Sequence, residues 1–183
     1  MINYLGKFIP NLSEVTAPLR KLLVKENDWQ WQQEQTGSFE NLQKLVTDAL
    51  ILQYYDLHVP VVVNVDESQN DVGAVLLQNE KPVAYASKPF TECERRYAQI
   101  EKELAAVVYG VEKFHQYVFM RKFVVELNHK PLESIMIKPL ADNPPRLQRM
   151  LLKLQKYDCT LQYKKGTEMY VADALSRDFF LKE

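Results

Sequence analysis

Cysteine is scarce in this sequence: only Cys93 and Cys159 occur, in unrelated contexts and without the paired spacing of a zinc site or a disulfide framework. Both read as free thiols of a reducing compartment. No apolar run approaches the roughly 20 residues needed to span a bilayer, and Met1 to Pro10 lack a basic start followed by an apolar stretch. The expectation is a soluble intracellular chain with no membrane partner. A basic excess is missing as well, with 23 basic residues against 24 acidic ones and a pI near 6.3. That balance excludes a protein that holds nucleic acid by bulk positive charge, so any such contact must be local.

What the chain has is enough apolar material for a core: 183 residues, 46% of them hydrophobic, suit one ordinary domain plus a short extra segment. Residues 1 to about 50 show no strand pattern. Leu12, Val15, Leu19, Leu22 and Leu23 recur at helical steps, as do Phe39, Leu42, Leu45, Val46 and Leu50. Ser13 and Ser38 are the N-cap candidates, and Trp29 and Trp31 fall between the helices.

From Pro60 the character changes. Val61, Val62, Val63 and Val65 form a β-branched run that ends at Asp66, followed by strands over 72–77 and 82–87 joined by short polar links, which predicts an antiparallel meander. Tyr97, Ile100, Leu104, Val107, Val111 and Phe114 then predict one long amphipathic helix from about Glu92 to Phe119. A strand over 122–127, helices over 131–137 and 144–157, a strand over 159–163 and a last helical turn over 172–176 complete the pattern. The resulting fold class is α/β, a mixed five-stranded sheet flanked by helices with a small N-terminal helical segment.

Three carboxylates stand where chemistry needs them. Asp66 closes the central candidate strand, Glu103 sits at the margin of the apolar stripe of the long helix, and Asp173 lies in Ala172-Asp173-Ala174-Leu175-Ser176 near the end. Taken singly, each has a plainer reading: Asp66 as a turn residue, Glu103 as a solvated flank, Asp173 as a helix cap. Taken together, carboxylates from distant chain positions that converge at strand ends and on a facing helix are what paired magnesium ions require for phosphodiester hydrolysis.

The sequence resembles the ribonuclease H region of gypsy-type LTR retrotransposon polyproteins, on motifs that run in order along nearly the whole chain. They are Val63-Asn64-Val65-Asp66-Glu67-Ser68 with Val72-Gly73-Ala74-Val75-Leu76-Leu77-Gln78, then Pro82 to Lys88, Tyr97 to Val107, Phe114-His115-Gln116-Tyr117, Asn128-His129-Lys130-Pro131-Leu132, and Ala172 to Arg177. Tyr4 to Asn11 and Ala17-Pro18-Leu19-Arg20 resemble the connection segment that follows the polymerase. The resemblance implies a ribonuclease H fold at 56–183 behind a connection segment at 1–55, and a chain that starts at Met1 within a longer or truncated reading frame. It also implies magnesium, with manganese as the alternative, and cleavage of RNA in RNA–DNA hybrids. The polymerase domain of the same polyprotein is the implied partner, in a cytoplasmic particle or the nucleus. Asp66 would bridge two ions, Glu103 would reach one, and Asp173 would complete the second site.

Where the family carries its remaining carboxylate, this chain has Asn128, an amide that can offer only a neutral oxygen to a hard cation. Glu67 stands where the family has a small residue, Asp71 where it has Gly, Met150 where Trp is common and Met169 where Asn is common. The rival expectation is therefore an inactive binding or structural module of the same fold, from a decayed or host-adopted element. A polymerase in its own right is excluded, because no carboxylate pair for one precedes the connection segment. Arg146, Arg149, Lys153 and Lys156 share one helix face, either a solvated face or, given the family, a contact for hybrid phosphates. His58, His115 and His129 have no metal-site spacing.

Overall fold

The structure, a computed structural model, describes residues 9, 11–25, 27–47 and 54–164. Its sheet has the order β3-β2-β1-β4-β5, made of β1 (Val61–Glu67), β2 (Asp71–Gln78), β3 (Lys81–Pro89), β4 (Lys122–Leu127) and β5 (Asp158–Tyr163). β1, β2 and β3 pair antiparallel, and β4 and β5 add in parallel beside β1. The hairpin between β2 and β3 turns on Asn79 and Glu80, both at positive φ, the two-residue geometry whose twist matches that of the flanking strands. Asp71 does not occupy that region of φ, so the loss of the family's glycine there carries no backbone strain.

The helices are α1 (Leu12–Val15), α2 (Ala17–Lys21), α3 (Gln33–Thr47), α4 (Glu92–Arg95), α5 (Gln99–Lys113), α6 (His115–Val118), α7 (Pro131–Ile137) and α8 (Pro145–Leu154). The single long helix expected over 92–119 is thus three. Thr91 caps α4, its hydroxyl accepting from the Glu94 N–H at 3.2 Å while the Glu94 carboxylate accepts from the Thr91 N–H at 2.8 Å. Ala98 then takes an extended backbone and its N–H donates to Glu101, which restarts the chain as α5. The two N-cap expectations also fail. Asn11 precedes α1 in the left-handed region and Ser13 lies buried inside it, while Ser38 sits within α3 and donates to the Val15 carbonyl at 2.5 Å. The turn expected over 172–176 lies outside the described residues.

One main core fills the space between the sheet and its helices, with Val61, Val63 and Val65 of β1 facing Leu104, Val107 and Val111 of α5. Period-2 alternation sends Asn64 and Asp66 to the other face, which α1 approaches at β3. Ahead of β1 the chain is pinned. The Gln78 amide, 1% exposed, donates to the carbonyls of Asp56 (2.7 Å) and Val59 (3.0 Å) and accepts from the Asp56 N–H (2.9 Å). Gln78→Ala removes three hydrogen bonds at once, although the Val59 carbonyl keeps Arg121, and we expect urea unfolding to show a loss of about 1–3 kcal/mol.

Candidate active site

The site grows from the ends of β1 and α5. Val63 and Val65 turn toward α5, so two residues on, Glu67 does the same. There it meets Glu103, 4% exposed in the second turn of α5. The Gln99 amide bridges the two, donating to Glu67 Oε1 at 2.6 Å and to Glu103 Oε1 at 3.3 Å. Burial, a hydrogen bond from one carboxyl to the other and the charges of Glu103 and Asp66 push the Glu67 carboxyl up to about 9, with only the Gln99 amide acting in the opposite sense. Near neutral pH the pair therefore holds one proton at Glu67.

Asp66 lies beside Glu67 on the alternate face and lines a cleft with Asn64. In the parallel register Asn64 stands opposite Glu126, and its amide donates to that carboxylate at 3.3 Å, while Lys164 pairs with the same carboxylate at 3.1 Å. Asn128 follows the end of β4 and is exposed. Asp173 lies outside the described residues. The acidic partner the structure gives Glu103 is Glu67, a residue that sequence reasoning noted only as a departure from the family pattern. The signal was present: Val63, Val65 and Glu67 are two apart and share a face. Among the described residues, no three His, Cys, Asp or Glu side chains gather closely enough to hold a metal ion.

The basic helix face is largely occupied. Arg146 makes two hydrogen bonds to the Glu101 carboxylate, at 2.9 and 2.8 Å, and lies over the Tyr97 ring at 4.4 Å. Lys153 pairs with Glu112 at 3.4 Å, while Lys156 lies over the Tyr157 ring and falls beyond the end of α8 at Leu154, so the helix expected over 144–157 is shorter and does not carry it. Arg149 is exposed on the same helix, whose Leu147, Leu151 and Leu154 are buried.

Residues 56–157 match the RNase H-like domain found in reverse transcriptase. The chain belongs to this family. Over 181 residues this RNase H-like domain chain is 34% identical to the Retrovirus-related Pol polyprotein from transposon 412 of Drosophila melanogaster, across 96% of this chain and 14% of that protein. It is 31% identical to the Transposon Tf2-3 polyprotein of Schizosaccharomyces pombe, again across 96% of this chain and 14% of that protein. It thus spans a small part of the curated relatives it matches. Among solved structures it resembles the foamy viral protease-reverse transcriptase in complex with RNA/DNA hybrid, with a TM-score of 0.72, 25% identity, and coverage of 90% of this chain and 23% of that one. The five-stranded sheet with β1 between β2 and β4 is the RNase H-like fold, and the domain is of the kind carried by reverse transcriptases of retrotransposon polyproteins. Among the described residues, no helix is long and apolar enough to cross a membrane.

Proposed function

We propose that this domain cuts the RNA strand of RNA–DNA hybrids by two-metal hydrolysis, with a site weakened by Asn128. The observation that carries the reading is the pairing of half-buried Glu67 with buried Glu103 next to Asp66 within an RNase H-like fold. Two carboxyls held together, one of them buried, with a shared proton-bearing contact and one amide between them, are an arrangement a hard divalent cation relieves, so the residues fit such an ion. Asp66, Glu103, Asn128 and Asp173 would hold magnesium, or manganese in its place. Bound divalent ions supply the charge that activates water and stabilises the departing oxygen.

The chain's own residues prepare that site. Gln99 fixes the orientation of Glu103, whose side chain is buried. Glu67 stores a proton that an incoming cation must displace. Asn128 contributes a neutral oxygen where a charge would bind more tightly. Residues 1–55 serve as a connection to a polymerase domain of the same polyprotein, and 56–183 as the nuclease domain. Residues of α8 and of the turn that follows it hold hybrid backbone phosphates, Arg149 and Lys156 directly and Arg146 and Lys153 after exchange of their acidic partners.

The rival reading, a binding module that does not cut, is favoured by Asn128, an amide where the site needs a charge. Incubation of the 183-residue chain with labelled hybrid in magnesium and in manganese separates the two. Cleavage by the parent that Asp66→Asn abolishes supports the nuclease; hybrid retention on a gel with no cleavage in either metal supports the module. For the helix face, Arg149→Glu with Lys156→Glu should weaken hybrid binding and lower the slope of log affinity against log salt by about 2, roughly one per phosphate contact. An unchanged slope removes α8 from the interface.

A further inference from the structure

Three buried side-chain oxygens that lack a hydrogen-bond partner line a single cleft: Ser13 Oγ, Asn64 Oδ1 and Asp71 Oδ1. Ser13 is 6% exposed and Asn64 3%, so neither atom is satisfied by bulk water. The cleft, about 50 Å³ and open to solvent on one side, forms where α1 meets the sheet. The contact is held by the Ser13 N–H, which donates to Ser87 Oγ at 3.0 Å, and by Gly73, where a Cβ would approach Asn11 Oδ1 to 3.0 Å.

Charge separates the explanations for these atoms. Ordered water would satisfy Ser13 and Asn64. It would do little for Glu14 and Asp71, two carboxylates on the same cleft, where burial and the Asp71 charge raise the Glu14 carboxyl above its ordinary range. The cation near them is Arg20, but its guanidinium stands 3.8 Å from Asp71 and already donates to the Ser13 carbonyl. A site with two buried neutral oxygens that lack a hydrogen bond and a carboxylate whose guanidinium partner stands off at 3.8 Å is one a hard cation can take.

We propose that this cleft binds a divalent cation of the calcium type through Ser13 Oγ, Asn64 Oδ1 and the Asp71 carboxylate, with Glu14 as an acidic flank, clamping the helical segment onto the sheet. Calcium suits the mixture because it accepts irregular oxygen sets, whereas magnesium demands near-octahedral geometry. Asp66 also borders the cleft, whereas Glu103 and Glu67 do not, so the site shares one flanking carboxylate with the proposed nuclease site but not the paired carboxyls at α5.

Tyr85 lines the same cleft and makes the test direct, since a tyrosine beside terbium, a calcium stand-in, sensitises its emission. Titrating the 183-residue chain with terbium should give sensitised emission that calcium displaces, that Tyr85→Phe dims, and that Glu103→Gln leaves unchanged. Asp71→Asn should weaken terbium binding at least about tenfold and Ser13→Ala by less, with circular dichroism confirming that each variant folds. No sensitised emission overturns the proposal. So does emission that ignores Asp71→Asn and Ser13→Ala, or that disappears in Glu103→Gln. None of these outcomes depends on nucleic-acid cleavage, so the nuclease reading stands or falls separately.

Discussion

The melting temperature of the metal-free chain should fall as pH rises from about 4.5 to about 9, and Glu67→Gln should remove most of that fall. Glu67 binds its proton more tightly folded than unfolded, because burial and Glu103 oppose its charge. Such a group contributes stability that is fully present below the unfolded value of 4.5 and is lost as pH climbs through the folded value of about 9. After allowance for solvent screening of a partly exposed group, the loss is about 2 kcal/mol, or about 4–8 °C for a domain of this size. Glu94 acts in a separate window. Lys88 and the Thr91 cap hold its carboxyl below the ordinary range, so its contribution is present above about 4.5 and lost only toward more acid pH. Thermal melts of parent and Glu67→Gln across this range check the claim, and magnesium at the alkaline end should restore the parent. A parent curve that is flat or rises with pH would mean that Glu67 does not hold its proton in the folded chain.

Gly110→Val should cost about 3 kcal/mol and lower the melting temperature by about 6–12 °C. Gly110 lies in the last turn and a half of α5, where a Cβ would stand 2.9 Å from Val65 Cγ1 and 3.1 Å from Ala74 Cβ. A Cβ is fixed to its backbone, so Ala74 yields only if β2 moves. Alanine at this position gains about 1 kcal/mol of helix propensity and loses more than that to crowding, while valine adds two methyls and a β-branched penalty. The consequence reaches the site, since α5 carries Glu103 and Gln99 at its other end. A helix lifted off the sheet separates Glu103 from Glu67. Chemical denaturation measures the stability, and in the same variant the pH dependence described for Glu67 should shrink.

Much of this arrangement was legible in the sequence because it follows from local periodicity. The alternating valines of β1, the polar turn at Asn79-Glu80 and the apolar stripe of α5 each declare their element within a few residues. What was not legible depends on which local interaction wins. The apolar stripe runs on through Tyr97, so it hid the break that the Glu94 and Glu101 caps impose before α5. The same holds for Ser13 and Ser38, whose residue type suggested caps: Ser13 is buried with its backbone N–H bonded to Ser87, and the Ser38 hydroxyl donates to the Val15 carbonyl. At the site, Asp66 and Glu103 came from motif resemblance, and Glu67 follows from alternation once α5 is known to cover that face. The occupation of Arg146 by Glu101 depends on a helix-to-helix contact that spans 45 positions, beyond any local pattern.

The central claim is that a working carboxylate site has been weakened by one amide. The measurement that tests it most directly is the magnesium concentration giving half-maximal hybrid cleavage, for the parent and for Asn128→Asp. The account predicts that restoring the carboxylate lowers that concentration by about tenfold to a hundredfold and raises cleavage, with Asp66→Asn inactive in both backgrounds. Equal magnesium requirements in parent and Asn128→Asp, or cleavage that survives Asp66→Asn, would contradict it.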